Sequence, residues 1–86
     1  MSKKEIVTRG LDHNGKHYVI KVSQIGNKYI VEPYLNGKVA SHYSYYVKVD
    51  NIVDWKINYG DIPPYVRLVE IAEHDIKEGN GLKKNI

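Results

Sequence analysis

The side chains able to do chemistry in this 86-residue chain are few and scattered: four histidines, four serines, ten carboxylates and no cysteine. His13 and His17 are four residues apart, but Asn14-Gly15 lies between them. A tight turn there sends them to opposite faces, so they are not the paired ligands that an H-x-x-x-H helix presents. Asp12 falls opposite His17 and is placed to hydrogen-bond it. A zinc site needs three or four converging donors, and His13, His17, His42 and His74 have no spacing that assembles one. Ser2, Ser23, Ser41 and Ser44 lack a G-x-S-x-G elbow. Gly79-Asn80-Gly81 follows a helical stretch instead of preceding one, the wrong end for holding phosphate. The expectation is a non-catalytic chain with no metal and no cofactor, with a small enzyme or metal protein as the last of the alternatives.

What remains is aromatic. The chain has eight Tyr, one Trp and no Phe. A phenol hydroxyl needs water or a partner, so an all-tyrosine choice places many rings at a core edge or on a surface. Net charge is +3, from 13 Lys+Arg against 10 Asp+Glu, a mild excess with lysines at both ends. No apolar run approaches a membrane span, and the N-terminus carries no signal-peptide pattern. With no cysteine, these features read as a cytoplasmic protein.

The elements that must position the tyrosines are marked by turns. Asn14-Gly15, Gly26-Asn27 and Asn36-Gly37 recur every ten to twelve residues. Each suits the positive backbone angles of a two-residue hairpin, and their spacing marks a meander. Strands are expected at about 5–12, 17–24, 29–35 and 39–49. A fifth is expected at 52–59, where Val53, Trp55, Ile57 and Tyr59 alternate with Asp54, Lys56 and Asn58. A short helix capped by Asp50 is the competing reading of that stretch.

Two-residue loops fix which residues lie opposite one another, and opposite residues share a face. Val7 then opposes Val22, Leu11 opposes Tyr18, Val22 opposes Val31, and Lys21 opposes Glu32. Carried through Asn36-Gly37, the same count puts His42 opposite Val31 and Ser44 opposite Tyr29. A turn at Asp50-Asn51 would put Trp55 opposite Tyr46. One face collects Val7, Leu11, Tyr18, Ile20, Val22, Tyr29, Val31, Leu35, Ala40, Tyr46, Val53, Trp55, Ile57 and Tyr59, and is the expected core face. Arg9 falls among them, tolerable on an edge strand from which its guanidinium reaches water. Pro33 conflicts with a central strand because it has no N–H for the ladder. A bulge or a longer 34–37 loop would resolve that, and a one-residue bulge would invert every face beyond it.

After the break at Gly60–Pro64, Tyr65, Leu68, Val69, Ala72 and Ile76 form a helical stripe, with Gly79 placed to end it. A sixth strand at 65–71 is the rival. The fold expected is α+β: a five-stranded antiparallel β-meander with one C-terminal amphipathic helix packed on it, or a small barrel with the helix appended. Residues 1–78 form a single domain, and 79–86 a flexible tail.

The other face carries Ile30, Tyr34, Tyr43 and Tyr45, flanked by Lys21, Lys28, Lys56 and His17. These are the candidate site residues. The leading reading is a small binding module contacting a protein partner, or itself as a homodimer, through this tyrosine-rich face. The alternative is single-stranded nucleic acid stacked on the same rings, with Glu32 and Asp54 diluting the positive field. No membrane partner is expected.

Overall fold

The computed structural model describes residues 3–42, 44–50 and 52–82. The strands are β1 (Lys4–His13), β2 (Lys16–Ile25), β3 (Lys28–Leu35), β4 (Lys38–Val39) and β5 (Tyr45–Lys48), and the helices are α1 (Ile52–Tyr59) and α2 (Val66–Glu78). The sheet is antiparallel and open, running β1-β2-β3, with β4 and β5 sharing the far edge of β3. The α+β class and the single long C-terminal helix on a sheet agree with the sequence reading.

All three hairpin signals form turns. Asn14 and Gly15 both have positive φ (53° and 75°), as do Asn36 and Gly37 (55° and 78°), the pattern of a type I′ turn. At the middle hairpin Gly26 is positive (59°), which suits type II′. The register between the first three strands is the expected one. Val7 pairs with Val22 and Leu11 with Tyr18; Val22 pairs with Val31 and Lys21 with Glu32. A bulge between Glu5 and Val7 bends the start of the edge strand.

One face of this sheet is covered by α2, which touches β1, β2, β3 and β5. Tyr18, Ile20, Val22, Val31, Leu35 and Ala40 from the sheet side meet Val69, Ala72 and Ile76 from the helix, all buried. The stripe that forms the helix is therefore the stripe that it buries. Gly79, left-handed at φ 74°, ends it. The Gly79 and Asn80 N–H groups donate to the carbonyls of Ile76 and Asp75, satisfying acceptors that a helix end leaves open. Arg9 leaves the core face at the sheet edge and reaches Glu73 of α2 at 3.6 Å.

The expected 39–49 strand does not form, and the cause is Pro33. The Ala40 N–H donates to the Pro33 carbonyl at 2.9 Å. In an antiparallel pair the return bond would run from the N–H of residue 33 to Ala40, and proline has none. β4 stops at Val39, and the chain swings away. Ser41 bridges to Leu82, and the His42 N–H donates to the Gly81 carbonyl at 2.7 Å. Residues 81 and 82, placed in a tail by sequence, are thus tied to the sheet margin.

The chain returns as β5, pairing Val31 with Tyr45, Ile30 with Tyr46 and Tyr29 with Val47. Along β4 paired residue numbers add to 73, as 34 and 39; along β5 they add to 76, as 31 and 45. The excursion inserts three residues, an odd number, so every side chain of β5 is on the face opposite to its expected one.

The fifth strand expected at 52–59 is also absent: the stretch is α1, the competing reading. The Val49 N–H bonds the Asn27 carbonyl at the start of β3, so the β3 edge has run out when residue 52 arrives. A helix satisfies its backbone groups within itself. Asp54 in the first turn and Lys56 in the last suit the helix dipole. Gly60, at φ 69°, closes it with an N–H donated to the Lys56 carbonyl. Val53, Ile57 and Tyr59, expected in the core, are exposed, and Trp55 is half-buried.

Candidate functional site

The uncovered face of the sheet is built from β1, β2, β3 and β5. Tyr34 and Ile30 sit on it as expected, both half-buried. Tyr43 lies outside the described residues. Tyr45 is not on it: the odd excursion turns it toward α2, where its hydroxyl donates to the Asp75 carboxylate. Tyr46, expected in the core, takes its place opposite Ile30 and is 63% exposed.

Lys21 and Lys28 are on this face, each with its ammonium 4.5 Å above a ring, Lys21 over Tyr34 and Lys28 over Tyr46. Lys48 lies directly opposite Lys28. Like charges in that relation destabilise a sheet, and among the described residues no carboxylate lies at ion-pair distance from either lysine. His17 is exposed at the far end of the same face, and its Nδ1 is 2.6 Å from Asp12 Oδ1. The ring lies over Gly10, where a Cβ would come within 2.9 Å of it. Lys56 leaves the face altogether, carried off on α1.

Glu32, expected to dilute the field, is half-buried and already occupied. Lys3 Nζ donates to its Oε1 at 2.8 Å, and Ser44 Oγ to its Oε2 at 3.4 Å. The hydrogen bond to Glu32 raises the Lys3 pKa above the ordinary lysine value. A shallow concavity of about 240 Å³ lies here, lined by Lys3, Lys28, Ile30, Glu32, Ser44 and Tyr46.

A second surface lies on α1 and the Gly60–Pro64 connection. Among the described residues, the backbone of α1 lies away from every strand and from α2. It is anchored at its C-terminal side, where Trp55 Nε1 donates to the Ile62 carbonyl at 2.7 Å and the Trp55 and Tyr59 rings lie 4.3 Å apart. That leaves Ile57 76% exposed, and Val53, Tyr59 and Ile62 each more than half exposed. Trp55, Tyr59, Ile62, Pro63, Pro64 and Arg67 line a pocket of about 450 Å³. Its walls are aromatic and proline rings, and Arg67 supplies one guanidinium. The signal available in sequence was Asp50 before, and Gly60 after, a run of eight residues.

Among the described residues no group of three or more His, Cys, Asp or Glu is placed to hold a metal. No described helix is long and apolar enough to cross a membrane. No known protein family, curated protein or solved structure matches the chain.

Proposed function

We propose that this chain is a small non-catalytic binding module whose partner is another polypeptide, seated on α1 and the Gly60–Pro64 connection. One observation supports the reading: among the described residues the backbone of α1 stands away from the sheet and α2, and Val53, Ile57 and Tyr59 of that helix, with Ile62 beyond it, are each more than half exposed. Exposed apolar surface clustered in this way marks contacts, and aromatic rings beside an arginine are favoured contact chemistry. The protein-contact reading first attached to the sheet tyrosines moves here because Tyr45 faces inward. An apolar side chain next to a carboxylate would satisfy both the ring walls and Arg67. A cytoplasmic setting belongs to this proposal, supported by the cysteine-free composition.

A photo-crosslinking residue at position 57, in the full chain and in its native cells, tests it. The expected result is a discrete adduct, to a second copy or to one other protein, that disappears when Tyr59→Asp and Ile62→Asp are added. The same label at Lys77 on α2 should yield none. Absence of any discrete adduct at position 57 overturns the reading.

A further inference from the structure

We infer that the uncovered sheet face is a second, separate site, for single-stranded nucleic acid, centred on Tyr46, Lys28 and Lys48. Charge complementarity argues for a polyanion. Lys21, Lys28 and Lys48 have no carboxylate at ion-pair distance among the described residues. Of the acids on the face, Glu32 is paired with Lys3 and Glu5 accepts from the Thr8 hydroxyl. Lys28 and Lys48 are partners across β3 and β5, so two cationic side chains stand on neighbouring strands, where phosphates offset the like-charge repulsion.

The rings say that the polyanion has bases. Tyr34 and Tyr46 stand roughly 14 Å apart on the face, four residues along and one strand across, with Ile30 opposite Tyr46 and the Lys3-paired Glu32 between Ile30 and Tyr34. Each ring is roofed by a lysine. Stacking a base on an exposed ring outweighs an exposed ammonium contact by about two- to three-fold in free energy. An arriving base therefore displaces the ammonium, which then serves the adjoining phosphate. The concavity beside Tyr46 gives the base a floor of Ile30. A duplex offers no free base faces, so the occupant is single-stranded.

The test is fluorescence anisotropy of the whole protein with a labelled 12-nucleotide oligothymidylate, against an equal-length duplex and heparin, at several salt concentrations. Single-strand binding should be tightest, with a log–log salt slope of about −2 for three phosphates. Lys28→Gln with Lys48→Gln should bring the slope to about −0.7. Tyr46→Ala should weaken binding roughly 10-fold, and because Tyr46 is largely exposed the variant keeps its fold. Ile57→Asp should change nothing, which separates this site from the one on α1. The inference is overturned if the strand does not bind at micromolar protein in low salt. It is equally overturned if duplex or heparin binds as tightly and Tyr46→Ala is silent. A change of oligomeric mass on Tyr46→Ala, with no strand binding, would make the face a protein contact instead.

Discussion

Tyr45 donates its hydroxyl to Asp75 from beneath the sheet, while its neighbour Tyr46 stands in solvent under the Lys28 ammonium. Their chemistry is identical, so the difference in consequence comes from position alone. Tyr45→Phe leaves the Asp75 carboxylate without its donor in a partly buried place, and should cost about 1–2 kcal/mol in urea denaturation. Tyr46→Ala should stay within about 0.5 kcal/mol of wild type, as exposed positions do. Equal losses at the two positions would mean that the parity of β5 is misassigned. At this scale tyrosine number and spacing were legible, but which of two adjacent tyrosines faces out was not, because one odd insertion upstream reverses the answer.

Among the elements, α1 and α2 differ in what holds them. α2 ends in a glycine cap and buries Val69, Ala72 and Ile76. In α1 the Trp55 indole donates to the Ile62 carbonyl and its ring lies against Tyr59, while Val53, Ile57 and Tyr59 stay exposed. Trp55→Ala should therefore cost no more than about 1 kcal/mol of global stability, far below the cost of truncating a core aromatic. The near-ultraviolet circular dichroism of its ring should vanish. In hydrogen exchange the α1 amides should be protected far less than those of β2 and α2, since few buried contacts resist local opening. Protection of α1 equal to that of α2 in the isolated protein would show a packing partner within the chain. The alternation of Val53, Trp55, Ile57 and Tyr59 reads as a strand, yet it forms a helix because no unpaired length of β3 remains for it.

At the scale of the molecule, the buried hydrophobic side chains of the sheet and of α2 among the described residues make one core, and unfolding should be a single transition. Ile76→Ala removes a fully buried side chain at the middle of that core and should cost about 2–5 kcal/mol, a large part of what a domain this size has. Sheet and helix signals should be lost together on heating. A helix that melted first would mean that α2 is not integral to the core. By itself the sequence determined the three turns, the register of β1, β2 and β3, the stripe of α2 and its glycine stop, because each of these is local: turn residues fix loop geometry, and loop geometry fixes pairing. Only the tertiary structure decided where the chain leaves β3 after Ala40, the face of Tyr45 and Tyr46, and the fate of residues 52–59. Those depend on how the absent N–H of Pro33 is resolved in three dimensions, where the diverted chain bonds a segment some forty residues away.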